Sequence, residues 1–196
     1  VALERELKLA IAPRAVREAA RALRLPSRRR VLQSIYFDTP RSELRRRRMA
    51  LRLRRDGERW VQTLKAERRP GERYEWETPV ASSALELSRL PRAAIRRATG
   101  VALSSIADRL RPLFETRFTR RVRMLSAGEA RIELALDRGY VRAGRRRAAI
   151  CEIELELKAG TMRTLRRVAA ALAKRFSLVP LSESKAARGY RLARGE

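Results

Sequence analysis

The strongest constraint on this chain is a set of alternating segments whose charged residues are sorted by sign. Ile150–Lys158 carries Glu152, Glu154 and Glu156 on one phase, against Ile150, Ile153, Leu155 and Leu157. Leu3–Leu9 carries Glu4, Glu6 and Lys8 on one phase, and Ala50–Arg55 sets Arg52 and Arg54 against Leu51 and Leu53. Lys65, Arg73 and Glu75 fall on further segments of this kind. In a strand, residues i, i+2 and i+4 share a face, so each set forms one charged stripe. A sheet face turned to water usually mixes signs, whereas three glutamates along one stripe repel and call for a compensating cation. If the apolar phases pack outward against helices, the charged phases line a barrel. Such a lining is too polar to stay dry and must hold ions, water or a ligand.

The period-two segments are Leu3–Ile11, Val31–Asp38, Ala50–Arg55, Trp60–Lys65, Arg73–Val80, Phe114–Met124, Ala130–Asp137 and Ile150–Lys158. Helical spacing appears in Pro13–Leu23, which opens with proline where its missing N–H costs little, in Thr161–Phe176 and in Pro91–Ala98. Pro70-Gly71 is read as a turn, and Arg138-Gly139 as the start of another. The expected fold is α+β and mainly antiparallel: an eight-stranded β-barrel, a tunnel with helices packed outside, in one domain over residues 1–196.

Composition removes several kinds of chemistry. The 196 residues include no histidine, which excludes Ser-His triads and imidazole bases, and one cysteine, Cys151, which excludes an intrachain disulfide and a cysteine zinc site. A metal would have to be held by carboxylates, favouring hard ions such as Mg²⁺ or Mn²⁺. No apolar run reaches the ~18–20 residues of a membrane span and no secretory leader is visible, so a cytoplasmic location without a membrane partner is the expectation. The formal charge of +26 implies an anionic partner or substrate. Of 48 basic residues only Lys8, Lys65, Lys158, Lys174 and Lys185 are lysines; the excess of arginine reads as compositional drift, and much of it as incidental surface charge. Arg45-Arg46-Arg47-Arg48 is read as a solvated helix face, with steering of polyanions toward the barrel mouth as the alternative, Asp38 as a turn residue, Trp60 and Trp76 as core or rim, and Arg73 and Glu75 as an internal ion pair or a rim contact.

A longer series of motifs then accumulates in order: Glu4-x-Glu6-x-Lys8, Tyr36-Phe37-Asp38-Thr39-Pro40, Leu51-Arg52-Leu53-Arg54, Gln62-Thr63-Leu64-Lys65, Ala135-Leu136-Asp137-Arg138-Gly139, Cys151-Glu152-Ile153-Glu154-Leu155-Glu156-Leu157 and Ser184-Lys185-Ala186-Ala187-Arg188-Gly189-Tyr190. The set resembles the CYTH domain, or triphosphate tunnel metalloenzyme superfamily, over essentially the whole chain. Within it the segments look most like the bacterial inorganic triphosphatases that often carry a C-terminal CHAD domain. No CHAD region is present, which leaves a piece of a longer protein or a stand-alone enzyme. The resemblance implies an eight-stranded tunnel that hydrolyses or cyclises triphosphates with Mg²⁺ or Mn²⁺. It implies that Glu4 and Glu6 bind metal or position the attacking water, and that Lys8 contacts the phosphate or the metal-side network. Arg52, Arg54 and Lys65 would bind phosphate, with Arg73 and with Arg120 in preference to Arg117. Asp137, Glu152 and Glu154 would complete the metal site, with Glu156 there or at the rim, and Lys185 would be the C-terminal catalytic and phosphate-binding lysine. Arg188 and Tyr190 are open between packing and function.

These residues suit triphosphate chemistry, because phosphoryl transfer mainly needs charge neutralisation and an in-line water. Cleavage of inorganic triphosphate to pyrophosphate and phosphate is therefore the leading expectation. The alternatives are an adenylyl cyclase or a nucleoside or thiamine triphosphatase, and a non-catalytic polyphosphate- or RNA-binding module. Aromatic-rich strands of the RNA-binding kind are missing, so no nucleic-acid partner is expected.

Overall fold

The computed structural model describes residues 2–70 and 72–196. Nine strands follow in chain order: β1 (Ala2–Ala10), β2 (Arg30–Asp38), β3 (Met49–Asp56), β4 (Arg59–Arg69), β5 (Glu72–Val80), β6 (Arg111–Ala127), β7 (Ala130–Ala143), β8 (Arg146–Ala159) and the short β9 (Val179–Pro180). The helices are α1 (Val16–Ala22), α2 (Glu43–Arg46), α3 (Arg92–Thr99), α4 (Met162–Phe176) and α5 (Lys185–Arg194). Their spatial order is β5-β4-β3-β2-β6-β7-β8-β1-β9. The first half of β1 pairs with β5 and the second half with β8, and the β1–β5 pairing closes eight antiparallel strands into a barrel.

Apolar side chains of the barrel wall face outward, as the sorted stripes predict. Leu9, Ile132, Leu134, Ile153, Leu155 and Leu157 form one cluster with Val16, Ala19 and Leu23 of the α1 region and with Leu165, Ala169, Leu172 and Phe176 of α4. On the other side Leu51, Leu64 and Trp76 pack with Leu44 and Ile95 from α2 and α3. Each fully buried leucine contributes about 1.5–3 kcal/mol, so the helices hold the barrel closed from outside and release its interior for polar groups. Thr161 caps α4 by accepting a hydrogen bond from the Thr164 amide.

A third cluster lies inside one end of the barrel. Leu32, Tyr36, Phe114, Phe118, Ile150, Tyr190 and Leu192 pack together there. Ile150 thus belongs to the same phase as Glu152 and not, as expected, to the outer phase of Ile153 and Leu155; its inward neighbours make a dry plug where the glutamates end. Arg138-Gly139 is no turn either. β7 runs straight through it, with Gly139 opposite Phe118 and Ile150. A Cβ at Gly139 would sit 2.1 Å from the Arg117 carbonyl oxygen and 2.5 Å from the Phe118 Cβ, so the glycine permits close strand approach and does not turn the chain. Pro70 lies in a turn, and Gly71 is outside the described residues.

The eight expected strands and three expected helices are all present, with β6, β7 and β8 longer than their alternating segments. α5 was not among the expected helices, because Gly189 interrupts its pattern. The Phe114 ring explains that residue: a Cβ at Gly189 would meet it at 2.1 Å.

Candidate active site

The barrel encloses a cavity of about 520 Å³ whose lining is mostly ionic. Of the predicted residues, Glu4, Glu6, Lys8, Arg52, Arg54, Lys65, Arg73, Arg120, Glu154, Glu156 and Lys185 all line it. Asp137 and Glu152 do not; both are fully buried beneath the cavity. Arg117 is also absent from the lining.

The two signs occupy opposite walls. β1, β7 and β8 are neighbours, and register sets Glu6 opposite Glu156 and Glu156 opposite Glu133, a row of three carboxylates across three strands. β3, which carries Arg52 and Arg54, lies three strands from β1 and four from β8 around the ring. The acidic wall is partly neutralised. Lys65 Nζ donates to both carboxylate oxygens of Glu4 at 2.7 Å, and Lys8 Nζ donates to Glu6 Oε1 at 2.7 Å, an oxygen that also accepts from Arg73. Burial pushes the Glu6 carboxyl up, but Lys8, with Lys65 and Arg73, outweighs it and holds the group below its ordinary value. Glu156 behaves oppositely: burial raises it despite Lys158, and Glu4 and Glu133 add to the rise. Arg73 and Glu75, expected as a pair, take other partners. Arg73 binds Glu6, whereas Glu75 lies 3.3 Å from Lys65 and 3.7 Å from Arg52.

The basic wall is under-neutralised. Arg54 donates only to Ser34 Oγ, at 3.2 Å, and has no carboxylate in ion-pair range among the described residues. Its burial, and then Arg52 and Arg120 nearby, disfavour its charge. A guanidinium does not shed its proton at working pH, so an arriving anion is what relieves this wall. Arg52 Nε is buried without a hydrogen-bond partner among the described residues, a donor of the kind that a phosphate oxygen satisfies. Burial raises the Tyr36 phenol, yet Arg52 and Arg54 pull it below its ordinary value.

Beneath the cavity, Asp137, Glu152 and Glu154 bring carboxylate oxygens within 4.8 Å of one another, close enough to share one metal ion. The Lys185 ammonium occupies their midst, 2.6 Å from Asp137, 2.5 Å from Glu152 and 3.0 Å from Glu154. Arg120 adds a two-pronged contact to Asp137, at 2.7 and 2.6 Å, and a third contact to Glu154. Burial opposes the charge on both sides, but the cluster compensates itself. Glu154 is held well below its ordinary value by Lys185 and Arg120, and Lys185 well above its own by Glu154, Asp137 and Glu152. Lys185, Arg120 and Arg54 also lie over the Phe118 ring, at 4.8, 5.5 and 5.9 Å from its centre. Arg188 braces the cluster from behind, donating to Glu183 at 3.0 Å and to the Ala149 carbonyl at 2.7 Å. Tyr190 lines the cavity and donates to Asp38 at 2.9 Å.

Sequence reading missed Tyr36, Glu133 and Lys158 in the lining, and it took Arg45 and Arg48 first for a solvated helix face, whereas Arg48 stands in a turn and both border the cavity. Glu133 and Lys158 were within reach, since they extend the inward phases of Asp137 and of Glu152-Glu154-Glu156. Arg45 and Arg48 were not, because a short helix and a turn give no period.

A closed antiparallel barrel with opposed acidic and basic walls defines a charged tunnel. The CYTH domain family matches residues 2–190, and this chain belongs to it. It is 30% identical to the inorganic triphosphatase of Haemophilus influenzae over 96% of its length, and it spans about half, 54%, of that relative. Two solved structures share the fold. One is a putative adenylyl cyclase from Hippeastrum with a dominant triphosphatase activity, at 20% identity and TM-score 0.70 over 95% of both chains. The other is a putative adenylate cyclase from Bacillus halodurans, at 16% identity and TM-score 0.65 over 92% of this chain and 93% of that one.

Proposed function

We propose that this domain is a metal-dependent hydrolase that cleaves inorganic triphosphate to pyrophosphate and phosphate inside the tunnel. The observation that carries the reading is the under-neutralised basic wall, Arg52 and Arg54, set across the cavity from the carboxylate row Glu6–Glu156–Glu133. Its support from relatives is the family membership and the 30% identity to an inorganic triphosphatase.

Arg52 and Arg54 bind phosphoryl oxygens through forked N–H donors, and Lys65 and Arg73 add charge from the neighbouring strands. The donor set facing the cavity also suits a hard divalent ion, since the row contains only carboxylate oxygens. Glu4, Glu6 and Glu156 would hold Mg²⁺ or Mn²⁺. Such an ion would supply charge neutralisation to the phosphoryl group. Asp137 and Glu152 we assign instead to holding Lys185, because its ammonium already fills their cluster. That cluster fixes Lys185 and Arg120 in place at the lining of the tunnel, and one of the cavity glutamates accepts the proton of the attacking water.

Phosphate release from inorganic triphosphate in Mg²⁺, Mn²⁺ and EDTA, beside ATP and thiamine triphosphate, tests the reading. Rapid release from triphosphate that EDTA abolishes is expected. Cyclic AMP formation from ATP as the main reaction, or metal-independent polyphosphate binding without turnover, would overturn it.

A further inference from the structure

We propose that Arg45 and Arg48 form a second anion subsite at one mouth of the tunnel, taking the phosphoryl groups of a linear polyphosphate that extend past the Arg52–Arg54 wall. The inference rests on the triphosphate reading above and adds a determinant of substrate length.

Four observations carry it. Both side chains border the same cavity as Arg52 and Arg54, Arg45 half-buried and Arg48 exposed at the rim, whereas the exposed Arg46 and Arg47 do not. Arg48 stands in the turn immediately before β3, the strand that carries Arg52 and Arg54. Arg48 also has a φ of +55°, in the left-handed region where glycine is the unstrained choice. A bulky cation kept at a strained position beside a cavity points to use of its side chain. Finally, neither cation is firmly neutralised among the described residues. Arg45 has no carboxylate in ion-pair range and rests 5.5 Å over the Tyr190 ring, and Arg48 reaches Glu67 only at 3.9 Å.

α2 is also fixed towards the tunnel. Asp38 accepts hydrogen bonds from the Leu44 and Arg45 amides, both at 3.0 Å, and from the Tyr190 hydroxyl. One carboxylate thus ties the mouth arginines to α5, the helix that carries Lys185.

The test compares the affinities of the full chain for inorganic triphosphate and for a size-defined medium-chain polyphosphate, by titration calorimetry in EDTA at one ionic strength. The wild type should prefer the longer chain. The preference should fall about 5- to 10-fold in Arg45→Ala/Arg48→Ala, the scale of two partly solvated charge-assisted contacts. Arg46→Ala/Arg47→Ala removes the same charge from the outer face and should keep the preference. Arg48→Gly relieves the left-handed backbone, so it should lower the preference while the thermal midpoint holds or rises. No preference in the wild type, or an equal fall in both double variants, would overturn the subsite. Turnover of triphosphate in Mg²⁺ is followed separately: if it is absent while the preference still falls in the mouth variant, the subsite stands and the hydrolase reading fails.

Discussion

Glu6 shows how single residues are set by their surroundings. Its carboxylate is buried, faces a second carboxylate across the strand pair, and stays ionised because Lys8 and Arg73 hold one oxygen. Glu6→Gln should keep the fold and cut triphosphate turnover by about 10²-fold or more, the scale of removing a key electrostatic or acid–base group; steady-state kinetics beside a thermal melt would check both halves. Arg54→Ala should raise KM for triphosphate and slow turnover. Because Arg54 has a hydroxyl partner and no carboxylate, the variant leaves no orphaned charge, and its melting temperature should not fall. Arg120→Ala is expected to differ on that count: it strips Asp137 and Glu154 of a partner and should destabilise by about 3–5 kcal/mol, measured by denaturant unfolding.

At the scale of elements, α5 has two duties. Its first turn delivers Lys185 to the carboxylate cluster, and its middle packs against the dry end of the barrel through Tyr190 and Leu192. Gly189 makes the fit possible, since the Phe114 ring occupies the space of a side chain. Gly189→Ala improves helix propensity yet should lower stability by about 1–3 kcal/mol through overpacking. A rise in the unfolding midpoint would show that α5 is not seated on Phe114. The same elements explain what was hard to read. The outer faces of β1 and β8 showed themselves through period two, and α4 through its 3.6-residue spacing. α5 did not, because its glycine looks like a break until the ring it abuts is known.

The whole molecule separates its charge in two ways. Within the tunnel, acids and bases line the cavity in comparable number, so the net charge of +26 resides on the exterior. Affinity for a small anion should therefore come from the opposed walls more than from the overall field. The interior ion pairs also set the response to acid. Burial raises Glu154, Glu6 and Glu75, and their lysine and arginine partners overcome it, leaving all three below the ordinary value of 4.5. A carboxyl depressed in the folded state stabilises fully above its unfolded pKa and loses that contribution as pH falls through the folded one. The thermal midpoint should thus be nearly flat from neutrality to about pH 5 and fall below about 4.5. Glu156, raised by burial, works in the opposite sense and subtracts a smaller amount at neutral pH. A midpoint that declined steadily from pH 7 would mean that the buried carboxyls are not held ionised.

By itself the sequence determined the strands, the two faces of each, and which face carries charge, because period two converts directly into sidedness. It also supplied the residues from which the walls are built, in an order that resembles one family. Only the tertiary structure decided which carboxylates face the cavity and which hold a lysine. Glu152 and Glu154 are the same residue type on the same phase, yet one is sealed beneath the cavity and the other lines it. That difference depends on where α5 inserts Lys185 and where β6 aims Arg120, and both are contacts between residues far apart in the chain, which no local pattern encodes.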